Sequence, residues 1–135
     1  MNIIIAGSRK IGQKHKKYIF SLLDLVFKKL DLPKEEKIII FSGKCYGMDA
    51  LGEPYAKQNS WEVKDFYADW NRLGKAAGPI RNQEMIDSDA HLLICFYLED
   101  SVGSKDIISR AKVKNIRTID LKLQLHMKEK NGKLY

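Results

Sequence analysis

Three short runs of β-branched and aromatic residues, each followed by small or polar residues, constrain this chain most. Asn2-Ile3-Ile4-Ile5-Ala6 stops at Gly7-Ser8-Arg9, and Lys37-Ile38-Ile39-Ile40-Phe41 runs into Ser42-Gly43. Ala90 to Tyr97 is the most hydrophobic of the three. Short continuous apolar runs of this kind are expected of strands buried on both faces. Trp61–Phe66 and Ile116–Ile119 read as two further strands. Between them the apolar spacing turns helical: Ile19, Leu22, Leu23, Val26, Phe27 and Leu30 form one stripe within Lys10–Leu30, which Asp31-Leu32-Pro33 should end. A second helix is expected after Gly47, broken by Pro54 and restarting near Glu53. Tyr67–Gly78 reads as a loop, with Pro79 in the first turn of a helix reaching Met85 and Ile86. Ser101-Val102-Gly103-Ser104 should open another, carrying Ile107, Ile108 and Ala111. Strands alternating with helices predict an α/β fold in three layers, a mainly parallel sheet of about five strands covered on both faces.

A chain of 135 residues is long enough to bury a core as one domain, without disulfides or metal. Cys45 and Cys95 make no disulfide framework, and His15, His91 and His126 have no metal-ligand spacing, so no metal and no cofactor are expected. No apolar run approaches the ~20 residues of a membrane helix, and no basic leader precedes the first apolar run. We therefore expect a cytoplasmic protein with no membrane partner. The 24 basic and 17 acidic residues leave a net charge of +7. Lys14, Lys16, Lys17, Lys28 and Lys29 fall on one helix, and Lys122, Lys128, Lys130 and Lys133 in the tail. A solvated face explains them better than a nucleic-acid surface, because no arginine cluster or row of aromatics accompanies them. Residues 121–135 read as an extension: Leu121, Leu123, Leu125 and Met127 alternate with polar residues, and Asn131-Gly132 signals a hairpin turn. An edge strand, a hairpin, a dimer contact and a frayed tail all fit.

In a parallel sheet, ligands bind beyond the carboxyl ends of the strands. Four segments fall there: Gly7-Ser8-Arg9, Ser42-Gly43-Lys44, Gly78-Pro79-Ile80-Arg81-Asn82 and Ser101-Val102-Gly103-Ser104. Glycine admits an anion close to the backbone, and a helix start offers unpaired N–H groups with about half a positive charge. Arg9, Lys44 and Arg81 add full charges, which makes a phosphate the favoured ligand group. The Gly-x-Gly-x-x-Gly fingerprint and the P-loop are both absent, which weighs against generic dehydrogenases and P-loop NTPases.

Gly7-Ser8-Arg9, Ser42-Gly43 with Gly47-Met48-Asp49, Tyr67-Ala68-Asp69-Trp70, and Gly74-Lys75-Ala76-Ala77-Gly78-Pro79-Ile80-Arg81-Asn82-Gln83-Glu84-Met85 form an ordered set, completed by Ser101–Ser104. Together they resemble the motifs of the YspA-like (YpsA-related) branch of the SLOG superfamily, from Met1 to about Ile119. The resemblance implies a Rossmann-like fold. Its members include nucleotide phosphoribohydrolases, a DNA-processing protein and sensor domains linked to antiviral defence. The implied ligand is nucleotide-derived: ADP-ribose, an NAD-like molecule or a signalling nucleotide, to be sensed or sequestered. Where the phosphoribohydrolases carry a glutamate needed for cleavage, counting from Ser104 gives Ile107, with Asp106 one residue earlier. Binding without hydrolysis is therefore expected.

Ligand contacts are expected from Gly7, Ser8, Arg9, Ser42, Gly43, Lys44, Gly78, Arg81, Asn82, Ser101, Gly103 and Ser104, with phosphates held by Ser8, Arg9, Gly43, Arg81, Asn82, Gly103 and Ser104. Asp69 would meet ribose or base, or cap its loop, and Trp70 would stack on a base or anchor the loop. Asp49 reads as a helix N-cap in preference to a catalytic acid, and Cys45 as an ordinary free thiol. The rival reading is an N-glycosidic hydrolase using Asp106, Asp69 or Glu84. Nucleic-acid binding comes third, and a homo-oligomer is the expected assembly.

Overall fold

The computed structural model describes residues 1–124 and the backbone of two short strands, Met127–Lys128 and Lys133–Leu134. Five strands form one sheet: β1 (Asn2–Gly7), β2 (Ile39–Ser42), β3 (Glu62–Asp65), β4 (Leu92–Tyr97) and β5 (Arg117–Lys122). Their order is β3-β2-β1-β4-β5 and every pairing is parallel. The central strand β1 aligns Ile4 with Phe41 on one side and Leu93 on the other. The alternation of strands and helices predicts this parallel sheet, and the fold is Rossmann-like α/β, as the resemblance implies.

The unbroken apolar character of β1 follows from a core on each face. Ile3 and Ile5 point to one side, where they meet Ile19 and Leu23 of α1 (Lys16–Leu30) and Leu51 and Tyr55 of α2 (Met48–Gln58). Ile4 and Ala6 point to the other, against Met85 and Ile86 of α4 (Ala77–Asp87) and Ile107, Ile108 and Ala111 of α5 (Val102–Val113). On the first face, the Tyr55 hydroxyl donates to Asp24 at 2.7 Å, which gives its buried oxygen a partner.

Three expectations need correction. The first helix starts at Lys16, not Lys10; a 3-10 turn, Gln13–His15, precedes it, and the Gly12 N–H donates to His15 Nδ1 at 2.9 Å. The second helix runs unbroken through Pro54. Proline there removes one backbone hydrogen bond, while Leu51, Tyr55 and Ala56 keep their packing on the sheet. The segment 67–78 is not a plain loop: it holds the one-turn helix α3 (Trp70–Leu73) and a 3-10 turn, Gly74–Ala76, leading into α4.

Strand β5 forms one edge of the sheet, and the Leu123 N–H continues past it to the Tyr97 carbonyl at 2.7 Å. Met127–Lys128 pairs antiparallel with Lys133–Leu134 as a separate ribbon. The Asn131-Gly132 turn signal lies outside the described residues, as does Leu125. Among the described residues, no helix is long and apolar enough to cross a membrane.

Candidate functional site

Strand order reverses between β1 and β4, since the chain steps outward from β1 through β2 to β3 and then returns to β4 on the other side. At such a point the loops leaving the two strands diverge to opposite faces and open a crevice. A cavity of about 460 Å³ lies there. It brings together Gly7, Ser8 and Arg9 from β1, Trp70 from α3, Gly78, Arg81 and Asn82 from α4, and Ser101, Gly103 and Ser104 from α5.

Gly7 and Ser8 build the site rather than offer themselves to a ligand. A Cβ on Gly7 would stand 2.0 Å from the Phe96 carbonyl oxygen, so only glycine lets β1 and β4 close here. The Ser8 N–H donates to that same carbonyl at 3.2 Å, and Ser8 Oγ accepts from the Leu98 N–H at 2.8 Å. The Ser8 carbonyl accepts from the Met48 N–H at 3.1 Å, which fixes the start of α2. Beyond this knot the chain turns out, leaving the exposed Arg9 guanidinium 5.6 Å from the Tyr46 ring centre and 5.4 Å from that of Trp70.

Arg81 forms the floor, only 9% exposed. Its guanidinium donates to the Gly43 carbonyl and, through Nε, to Asn82 Oδ1 at 3.1 Å. Gly43 is glycine because Arg81 and Asp49 press against it: a Cβ would stand 2.9 Å from the Arg81 Nη1 and 2.7 Å from the Asp49 carboxylate. Asn82 in turn donates to Asp106 at 2.9 Å, and Arg110 donates to the same Asp106 oxygen at 2.8 Å. Burial pushes the Asp106 carboxyl up, but these hydrogen bonds outweigh it and hold its pKa below the usual carboxylate value. An anchored anion of this kind orients Asn82 and has no proton to give at neutral pH.

The fourth wall is the start of α5. Ser101 precedes the helix without a side-chain cap on its backbone, and its hydroxyl donates to Ser104 Oγ at 2.6 Å. The first-turn N–H groups of α5 have no partner within their own helix and face the cavity end of the fold. Arg9, Lys75 and Arg81 supply positive charge to the lining, whereas Lys10 is neutralised by Asp100 at 2.5 Å. Against these cations stand the Asp49 carboxyl and Asp106, the latter already paired with Arg110, so the lining keeps a positive balance that suits an anion.

Several expected residues do not reach it. Ser42 donates to Glu53 at 2.9 Å, and the Lys44 ammonium lies 2.7 Å from Glu53 and 3.8 Å from Asp65, away from the cavity. Gly43 contributes only the carbonyl behind Arg81. Asp69 caps α3 by accepting the Arg72 N–H at 3.3 Å and pairs with the Arg72 side chain at 3.0 Å, as the capping alternative predicts. Glu84 is on the exposed side of α4. Ile107 of α5 is buried in the core and does line the cavity, but its side chain has no proton to transfer.

The sequence places Asp49 at an N-cap; in the structure Gly47 holds that position. Asp49 is 6% exposed and lines the cavity, with its pKa pushed up to about 6 by burial against the opposing pull of Arg81. Lys75 also lines the cavity, outside the residues expected from sequence. Its only signal is its place in the Gly74–Asn82 motif. Among the described residues no cluster of histidine, cysteine and carboxylates could hold a metal ion.

The family model for the YspA, cpYpsA-related SLOG family matches residues 1–73, which carry β1 to β3 and the whole of α3. A curated relative, the Gene 61 protein of Mycobacterium phage D29, is 30% identical over 88 residues, covering 62% of this chain and 70% of the relative. Among solved structures, DNA processing protein A from Streptococcus pneumoniae superposes with a TM-score of 0.50 at 14% identity, over 87% of this chain and 57% of that one. A predicted subunit of tRNA methyltransferase from Methanocaldococcus jannaschii gives a TM-score of 0.42 at 18% identity, over 89% of this chain and 67% of that one. The first superposition shows a shared fold.

Proposed function

Because this chain belongs to the YspA, cpYpsA-related SLOG family, we propose that it binds a small nucleotide-derived ligand in the β1/β4 crevice. Family membership supports a nucleotide-related ligand in general terms. The finer reading is ADP-ribose, an NAD-like molecule or a signalling nucleotide, held as a sensor or sequestering protein would hold it. One observation carries this reading: Arg9, Arg81 and the uncapped first turn of α5 converge on one crevice at the reversal of strand order. Phosphate would lie between Arg9 and the N–H groups of Val102, Gly103 and Ser104. Asn82, fixed by Asp106, would meet ribose hydroxyls, and Trp70 would cover a base. A sequestering protein of this kind would hold a signal made in antiviral defence.

Titration calorimetry with AMP, ADP-ribose and NAD tests this. At least one should bind. Arg9→Ala, at an exposed position, should weaken it about 10- to 100-fold, the value of a charge-assisted hydrogen bond of ~1.5–3 kcal/mol. No heat with any of the three, or full affinity in Arg9→Ala, contradicts the assignment.

A hydrolytic reading is favoured by one feature, Asp49. Its carboxyl lines the cavity and exchanges its proton close to neutrality, as a general acid requires. Cleavage of an N-glycosidic bond would therefore run through Asp49 and not through Asp106, Asp69 or Glu84. Chromatography of AMP and NAD after incubation with the protein would show released base, abolished in Asp49→Asn and retained in Glu84→Gln.

A further inference from the structure

A second recess, of about 320 Å³, adjoins the first and shares Arg9, Cys45 and Trp70 with it, while Tyr46 and Lys44 belong to it alone. Both volumes are in the range of sites for small organic ligands. Tyr46 is 69% exposed and Trp70 44% exposed, and they flank the Arg9 guanidinium. The core accounts for neither exposure: the Tyr46 ring has no place in either apolar cluster. Two open rings around a cation without a carboxylate partner among the described residues make a stacking platform beside a phosphate-binding group.

We infer that the site takes a ligand with two nucleobase-sized rings joined through phosphates, one ring in the inner cavity and the other on Tyr46, with Arg9 between them. This rests on the nucleotide-binding reading above and narrows it to dinucleotides. A longer strand fits less well. The Lys44 ammonium that borders the outer recess is held by Glu53 and Asp65, so a continuing phosphate backbone would meet two carboxylates there.

The test is calorimetric titration of the wild-type chain, Tyr46→Ala and Tyr46→Phe with four nucleotides: AMP, GMP, diadenosine diphosphate and diguanosine diphosphate. One of the two dimers should bind once per chain and at least about tenfold more tightly than its monomer. Tyr46→Ala should weaken that dimer by about 5- to 100-fold, the value of one base stacked on an aromatic ring. Tyr46→Phe should restore it, and the monomer should bind both variants as it binds the wild type. The exposed position of Tyr46 keeps folding out of the comparison, which an unchanged melting temperature would verify. Equal affinity for dimer and monomer, or equal weakening of both by Tyr46→Ala, overturns the inference while leaving mononucleotide binding intact. Failure of all four nucleotides overturns the inference; the nucleotide-binding reading falls with it only when ADP-ribose and NAD, titrated alongside, also give no heat. Tighter binding of a ten-residue oligothymidylate than of either dimer makes the platform a nucleic-acid surface and overturns the inference.

Discussion

Asp49 is the residue whose chemistry is least visible in the sequence. Gly47-Met48-Asp49 has the look of a helix start, and a carboxylate near a helix N-terminus needs no further explanation. Only the fold shows that Gly43 lets Arg81 and Asp49 press on the same loop and that burial removes water from the carboxyl. The groups facing it are Arg81, Glu53 and Arg9, with a backbone hydrogen bond from Cys45. Its folded pKa of about 6 lies above the unfolded value, so the native state holds the proton more tightly. Stability attributable to this group is greatest at low pH and falls as pH rises from about 4 to 6. Asp49→Asn should therefore gain about 2 kcal/mol relative to wild type between pH 4 and pH 8, as read from urea unfolding. The site follows the same sign. A bound pyrophosphate favours neutral Asp49, so NAD, whose phosphates do not titrate in this range, should bind more tightly at pH 5.5 than at pH 8. Asp49→Asn should abolish that dependence.

Among the elements, strands were legible and helix boundaries were not. Ile3-Ile4-Ile5 and Leu92-Leu93-Ile94 announce buried strands because both of their faces must be covered. Edge strand β3 carries the same kind of signal only weakly, and all four of its residues are exposed. Helix ends depend on contacts distant in sequence. The knot at Ser8 fixes the start of α2, and packing of Leu51 and Tyr55 carries that helix through Pro54 against its local preference. Pro54 consequently stands as a tolerated defect. Pro54→Ala restores a donor to the Ala50 carbonyl and should stabilise the fold by about 1–3 kcal/mol, seen as a rise of several degrees in the thermal midpoint. A lower midpoint would show that the proline ring packs to advantage. The segment 67–78 was illegible for a related reason: Asp69 caps a helix of a single turn, too short to show a period.

At the scale of the whole molecule, the sheet decides which motifs can act together. Four small-residue segments were expected at the carboxyl edge, but the reversal at β1/β4 gathers three of them and leaves Ser42-Gly43-Lys44 behind Arg81. Sequence order alone cannot make that distinction, because strand order is a long-range property. The net charge of +7 divides in the same manner. Lys16 and Lys17 of α1 are exposed on a helix away from the crevice, whereas Arg9 and Arg81 converge within it. Where an anion binds therefore distinguishes the crevice from the lysine face. Amide chemical shifts recorded while NAD is added to the labelled protein locate it directly. Changes centred on Arg9, Val102, Gly103 and Ser104 are predicted; changes confined to the lysine face of α1, or none at saturating NAD, would contradict the account.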